Sequence, residues 1–297
     1  MGVYLSKANT TKDTVDGEAD GLRFACSSMQ GWRVNMEDAH IAQTGVKEGV
    51  AVFGVFDGHG GKEVAKYCSK FFVDALKKNE AFVAGDYKKA LEQNFLKMDE
   101  MILAPEGQEQ LRLLKEEAEV GGSFAGCTAN VCLVTKEQIY CANAGDSRAI
   151  VLFEDGETKP LSTDHKPDVP AEKERIQNAG GYVRDGRVND NLNLTRAIGD
   201  FEYKKNSEMP PEKQIITAFP DVLVTKLEKK PRLLVLGCDG IWETLSGKDI
   251  CELLHKKIAG GTKVTTATEE LLDQLVAKET TEGVGCDNMT CIVVEFK

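Results

Sequence analysis

Five aspartates of this chain stand where an apolar run meets a turn. Asp57 follows the run 52–56, and Asp239 follows 233–236 through Gly237-Cys238. Asp146 ends Ala142-Asn143-Ala144-Gly145-Asp146, Asp200 ends Ala197-Ile198-Gly199-Asp200, and Asp287 introduces the apolar stretch 289–294. One Asp-Gly alone reads as a turn. Five such sites gather carboxylates at sheet edges, where like charges raise one another's pKa unless cations intervene. Mg²⁺ or Mn²⁺, hard ions held by carboxylates, a carbonyl and waters, meet that need. Gly58 lets a backbone carbonyl come close to such an ion. The expected chemistry is therefore a metal centre built around Asp57. Arg33, Glu37 and Asp38 lie nearby in sequence and taken singly read as solvated charge.

The elements that must position these residues follow from periodicity. Strands are expected over 50–56, 127–134, 138–144, 148–153, 221–227, 232–237 and 289–296. The pair 138–144 and 148–153, separated by Gly145-Asp146-Ser147, reads as a hairpin. Helices are expected over 62–78, 86–103, 108–119, 169–178, 246–258 and 264–278. The order is neither βαβα alternation nor all-β and predicts an α+β fold. Residues 155–220 read as a long irregular excursion, a feature that often serves function. The polar stretch 1–20 is expected to be a flexible N-terminal segment, with a single domain over 21–297.

The bulk numbers set limits. At 297 residues the chain can bury about three quarters of its extended surface. Its net charge of −11 argues against nucleic acid, which is bound by neutralising phosphates with Lys and Arg. No run reaches the roughly 18 apolar residues of a membrane span. The nine cysteines form no CxxC pair, and reduced thiols in the cytoplasm or nucleus are the expectation. A cysteine-dependent phosphatase needs five residues between Cys and Arg, whereas Cys26…Arg33 and Cys141…Arg148 have six. An Asp-x-Asp phosphatase is excluded by His59, and the glycine spacing near Gly247-Lys248 excludes a P-loop.

Six motifs in order resemble the protein phosphatase 2C family of metal-dependent serine/threonine phosphatases. They are Gly31-Trp32-Arg33 with Met36-Glu37-Asp38, Phe56-Asp57-Gly58-His59-Gly60-Gly61, Ala144-Gly145-Asp146-Ser147-Arg148, Arg196-Ala197-Ile198-Gly199-Asp200, Leu236-Gly237-Cys238-Asp239-Gly240-Ile241-Trp242 and Cys286-Asp287-Asn288-Met289-Thr290. The resemblance implies two packed antiparallel β-sheets flanked by antiparallel α-helices. It implies two Mg²⁺ or Mn²⁺ ions bridged by Asp57. Asp239 and Asp287 would complete one ion's ligands, Glu37 and the Gly58 carbonyl would serve the other, and Asp146 is the candidate for a weaker third. Arg33 would hold the substrate phosphate, His59 would be the general acid, and the nucleophile would be a water between the ions. Asp38, Glu243, Arg187, Asn189, Asp200 and Asn288 are further candidates for supporting or substrate contacts. Glu243 stands where the family usually has Asp. Substrates would be phosphoserine and phosphothreonine proteins, and the protein is expected to be a monomer. The alternative is a catalytically impaired phosphopeptide-binding relative, which would lack a ligand among Asp57, Asp239 and Asp287.

The N-terminal Met1-Gly2-Val3-Tyr4-Leu5-Ser6 fits the myristoylation pattern at Gly2. One acyl chain without a polybasic patch implies at most transient membrane contact.

Overall fold

The computed structural model describes residues 4–115 and 125–297. Its strands are β1 (Tyr4–Ala19), β2 (Leu22–Arg33), β3 (Ala39–Lys47), β4 (Val50–Phe56), β5 (Gly58–His59), β6 (Gly126–Cys127), β7 (Ala129–Val134), β8 (Gln138–Ala144), β9 (Arg148–Phe153), β10 (Thr158–Pro160), β11 (Val183–Arg184), β12 (Arg187–Val188), β13 (Ile198–Gly199), β14 (Asp221–Lys226), β15 (Pro231–Gly237) and β16 (Met289–Phe296). The helices are α1 (Glu63–Lys78), α2 (Glu80–Ala84), α3 (Tyr87–Leu103), α4 (Pro105–Leu114), α5 (Pro170–Asn178), α6 (Asp239–Trp242), α7 (Gly247–Ala259) and α8 (Val264–Leu275).

Two antiparallel sheets form the centre. One runs β1-β2-β16-β15-β9-β10 and the other β14-β8-β7-β4-β3. Strand β4 shows why such strands read as continuous apolar runs: every residue of it is buried. Ala51, Phe53 and Val55 face the core shared with the first sheet, while Val50, Val52 and Phe56 face Phe72 of α1 and Phe95 of α3. On the far side, α7 and α8 cover the first sheet through Leu254, Leu271 and Leu272. Burial on both faces removes the alternation that marks a half-exposed strand. The result is the expected α-β-β-α sandwich.

Three expectations are corrected. Strands β8 and β9 do not form a hairpin. Strand β8 pairs with β7 and β14, and β9 with β15 and β10, so Gly145-Asp146-Ser147 carries the chain from one sheet to the other. Gly145 has φ +119°, and a Cβ there would lie 2.6 Å from the Thr128 side chain, so a tight corner occupies the place of a hairpin turn.

The stretch 1–20 is not a separate flexible segment where it is described. Residues 4–19 form β1, joined to β2 by Asp20-Gly21, both at positive φ as a two-residue hairpin turn requires. As an edge strand, β1 has little apolar burial. Side chains tether it, with Thr14 on Ser27 at 2.9 Å and on Glu269 at 2.8 Å, and Lys12 on Asp273. Gly2 lies outside the described residues.

The expected helix 108–119 begins earlier, with Pro105 preset for a first helical turn, and ends at Leu114. Its expected end, 116–119, lies outside the described residues.

The excursion 155–220 holds its own small core of Ile176, Val188, Leu194, Ala197 and Ile216. Beside it the Glu172 carboxylate receives Arg175 at 2.6 Å and Arg196 at 2.7 Å, and Arg196 reaches on to Asp221 at 2.8 Å.

Candidate metal centre

Strand pairing explains how distant aspartates meet. Gly237 at the end of β15 lies opposite Cys291 near the start of β16, so Asp239 and Asp287 leave the same end of the first sheet. Strand β4 delivers Asp57 from the second sheet, and the corner between β8 and β9 delivers Asp146. Asp57, Gly58, Asp146, Asp239 and Asp287 line one cavity of about 160 Å³, together with Arg33, His59, Thr128, Asn193, Leu194 and Asn288.

Asp57, Asp38 and Asp239 are carboxylates with no cationic partner among the described residues, whereas Asp287 is met by Arg33. Burial and then the charge of Asp239 push Asp57 well above the usual carboxylate range. Burial and then Asp146 raise Asp239 to about 7. Asp38 is raised to about 6, first by burial, and neither of its buried oxygens has a hydrogen-bond partner of good geometry among the described residues. Ligand atoms of Asp38, Asp57 and Cys238 lie within 4.8 Å of one another. The Cys238 thiol is driven well above its ordinary pKa by burial, so it forms a wall and the carboxylates supply the charge. Buried, mutually repelling oxygens are the donor set that hard divalent cations take. The residues fit Mg²⁺ or Mn²⁺.

Glycine at 58 is demanded by Glu37, because a Cβ there would come within 2.5 Å of the Glu37 carbonyl oxygen. Glu37 itself is fixed through its N–H, which donates to Asn288 Oδ1 at 2.9 Å. The Asn288 amide donates to Gln30 O at 2.8 Å and Asn35 O at 3.0 Å. Asn288 therefore staples the Glu37-Asp38 loop to the end of β2. Arg33 closes the same end, with Nη1 3.4 Å from Asp287 Oδ2.

His59 sits 2.7 Å from Asp200 through Nε2. Burial alone would lower its pKa, but the Asp200 carboxylate beside it raises it above the ordinary value. Asp200, the fifth aspartate, is thus placed behind His59 and off the cavity wall. Gly126 makes the pair possible, since a Cβ there would lie 2.4 Å from Asp200 Oδ2 and 2.7 Å from His59 Nε2.

Other expected residues are not brought to the wall. Glu243 Oε2 accepts the Gly285 N–H at 2.8 Å and so braces the loop before Asp287. Arg187 bonds Asn191 O, and Asn189 Oδ1 accepts the Tyr182 N–H at 3.0 Å, both within the excursion. Sequence reasoning missed Thr128, whose N–H donates to Asp57 O at 2.9 Å and whose hydroxyl bonds Ser147 at 2.8 Å. It also missed Lys166, which pairs with Asp146. A threonine one residue beyond a glycine-rich strand end gives no periodic signal.

Carboxylates from both sheets, a half-exposed arginine and a carboxylate-backed histidine together form a candidate metal centre. The family model for Protein phosphatase 2C matches residues 22–284. Protein phosphatase 2C 1 of Paramecium tetraurelia is 49% identical, with all of both chains covered. Probable protein phosphatase 2C 21 of Arabidopsis thaliana is 40% identical over all of this chain and 93% of its own. A crystal structure of a phosphatase from Toxoplasma gondii superposes with TM-score 0.77 at 25% identity, covering 96% of each chain. The chain belongs to the protein phosphatase 2C family, and it is a metal-dependent protein phosphatase.

Proposed function

We propose that the protein hydrolyses phosphoserine and phosphothreonine esters of proteins using two Mg²⁺ or Mn²⁺ ions. The observation that carries this is the convergence of Asp57, Asp239, Asp287 and Asp146 with Arg33 and His59 on one cavity. Asp57 would be shared between the ions, with Asp239 and Asp287 on one side and Glu37 and the Gly58 carbonyl on the other. Asp146 would serve a weaker third. When bound, such ions lower the pKa of a water and offset phosphoryl charge.

The chain's own residues supply the rest. Arg33, about two-fifths exposed, presents a guanidinium fork that suits a phosphoryl group. His59, held by Asp200 through Nε2, keeps its other nitrogen to protonate the departing seryl or threonyl oxygen. An impaired relative would lack a ligand, and Asp57, Asp239 and Asp287 are all present. We place the protein in the cytoplasm or nucleus as a monomer, with Gly2 acylation giving at most transient membrane contact.

The test is hydrolysis of a phosphothreonine peptide with Mn²⁺ or Mg²⁺. Activity should vanish with EDTA and return with added metal; turnover that survives complete chelation would sink the reading.

A further inference from the structure

The segment Leu192-Asn193-Leu194 reaches the cavity mouth with an alternating pattern. Leu192 and Leu194 pack on the small core around Ile176 and Val188, while Asn193 stays exposed on the cavity wall. The segment is fixed from behind. The Thr195 N–H donates to His165 O at 3.0 Å, and Arg196 is held by Glu172 and Asp221. Other neutral polar groups on the wall are committed: the Asn288 amide to Gln30 and Asn35, and the Thr128 hydroxyl to Ser147. The Asn193 amide has no hydrogen-bond partner among the described residues.

A carboxamide at the rim can accept a peptide N–H with Oδ1 and donate Nδ2–H to a peptide carbonyl. Resting on the phosphatase reading above, we propose that Asn193 is a substrate-positioning residue that binds the main chain beside the phosphorylated residue. It would favour phosphoproteins over small phosphate esters. Its rigid anchoring means that little ordering entropy opposes the contact.

The experiment compares wild type, Asn193→Ala and Asn193→Asp with Mn²⁺ on a phosphothreonine peptide and on p-nitrophenyl phosphate. The alanine variant should show a rise in peptide KM of about tenfold at little cost in kcat, the size of one lost hydrogen bond. The preference for peptide over p-nitrophenyl phosphate falls by the same factor, and the melting midpoint holds. Asn193→Asp, which loses the donor and adds a charge near carboxylates, should lose at least as much. An unchanged peptide KM, or equal losses on both substrates with a lowered melting midpoint, overturns the assignment. A wild-type protein inactive on both substrates would instead bring down the phosphatase reading and this inference with it.

Discussion

Two buried acidic sites in this molecule behave in opposite ways. At the metal centre, burial and neighbouring carboxylates raise Asp57, Asp38 and Asp239. At the base of the excursion Glu172 is also buried, yet Arg196 and Arg175 overcome the effect of burial and hold it at about 2. The fold supplies cations to Glu172 and, at the metal centre, to Asp146 and Asp287, but none among the described residues to Asp57, Asp38 and Asp239. Buried charge is stable only when paired, so an unpaired set marks a place for external ions.

The difference can be broken by substitution. Asp57→Asn should lower kcat by roughly a thousandfold or more, as loss of a transition-state interaction does. It should also leave the metal-free protein as stable as wild type or more so, because a repelling buried charge is gone. Normal turnover, or a strongly lowered melting midpoint without metal, would erase the distinction. His59→Ala should cost on the order of a hundredfold on an alkyl phosphoester and much less on p-nitrophenyl phosphate, whose leaving group needs little protonation. Equal losses in steady-state rates on both would remove the general-acid role.

Glu172→Gln should destabilise by about 3 kcal/mol, because Arg175 would remain buried without its counter-charge and Arg196 would keep only Asp221. Urea unfolding measures this, and a neutral result would mean the pair is worth no more than a surface bridge.

A further effect is in pH. Asp38 and Asp239 have folded pKa values of about 6 and about 7, against an ordinary 3.8. Between these values the unfolded chain releases protons that the folded one keeps, so stability falls as pH rises through this window. The raised His59 acts in the same direction. EDTA-treated protein should therefore melt lower at about pH 8 than at about pH 5, by up to a few kcal/mol at about 1.4 kcal/mol per unit. Added Mg²⁺ should shrink the gap, and a flat metal-free profile would contradict the electrostatics.

The central strands and the metal-centre aspartates were legible because the same burial that makes β4 and β16 continuous apolar runs places their ends at the cavity. The strands of the first 47 residues were not. Strand β1 is held by Thr14, Lys12 and their partners in place of apolar packing, and only Asp20-Gly21 signals its hairpin. The corner at Gly145 was misread because a turn between paired strands and a crossing between sheets use the same residue types. Asp200 carried the same local pattern as the other aspartates, and only its distance of 2.7 Å to His59 separates its role from theirs. Asn193 looked like any loop asparagine, since exposure is decided by Leu192 and Leu194 finding a core.

The division of the candidate ligands between the sheets has a mechanical meaning. Asp57 belongs to one sheet, and Asp239 and Asp287 to the other. A cation held by all three would be a rivet through the seam of the sandwich, resisting any sliding of one layer over its neighbour. Amide exchange near Phe56 and near Gly237 should slow together when Mn²⁺ or Mg²⁺ is added, although these residues lie far apart in the chain.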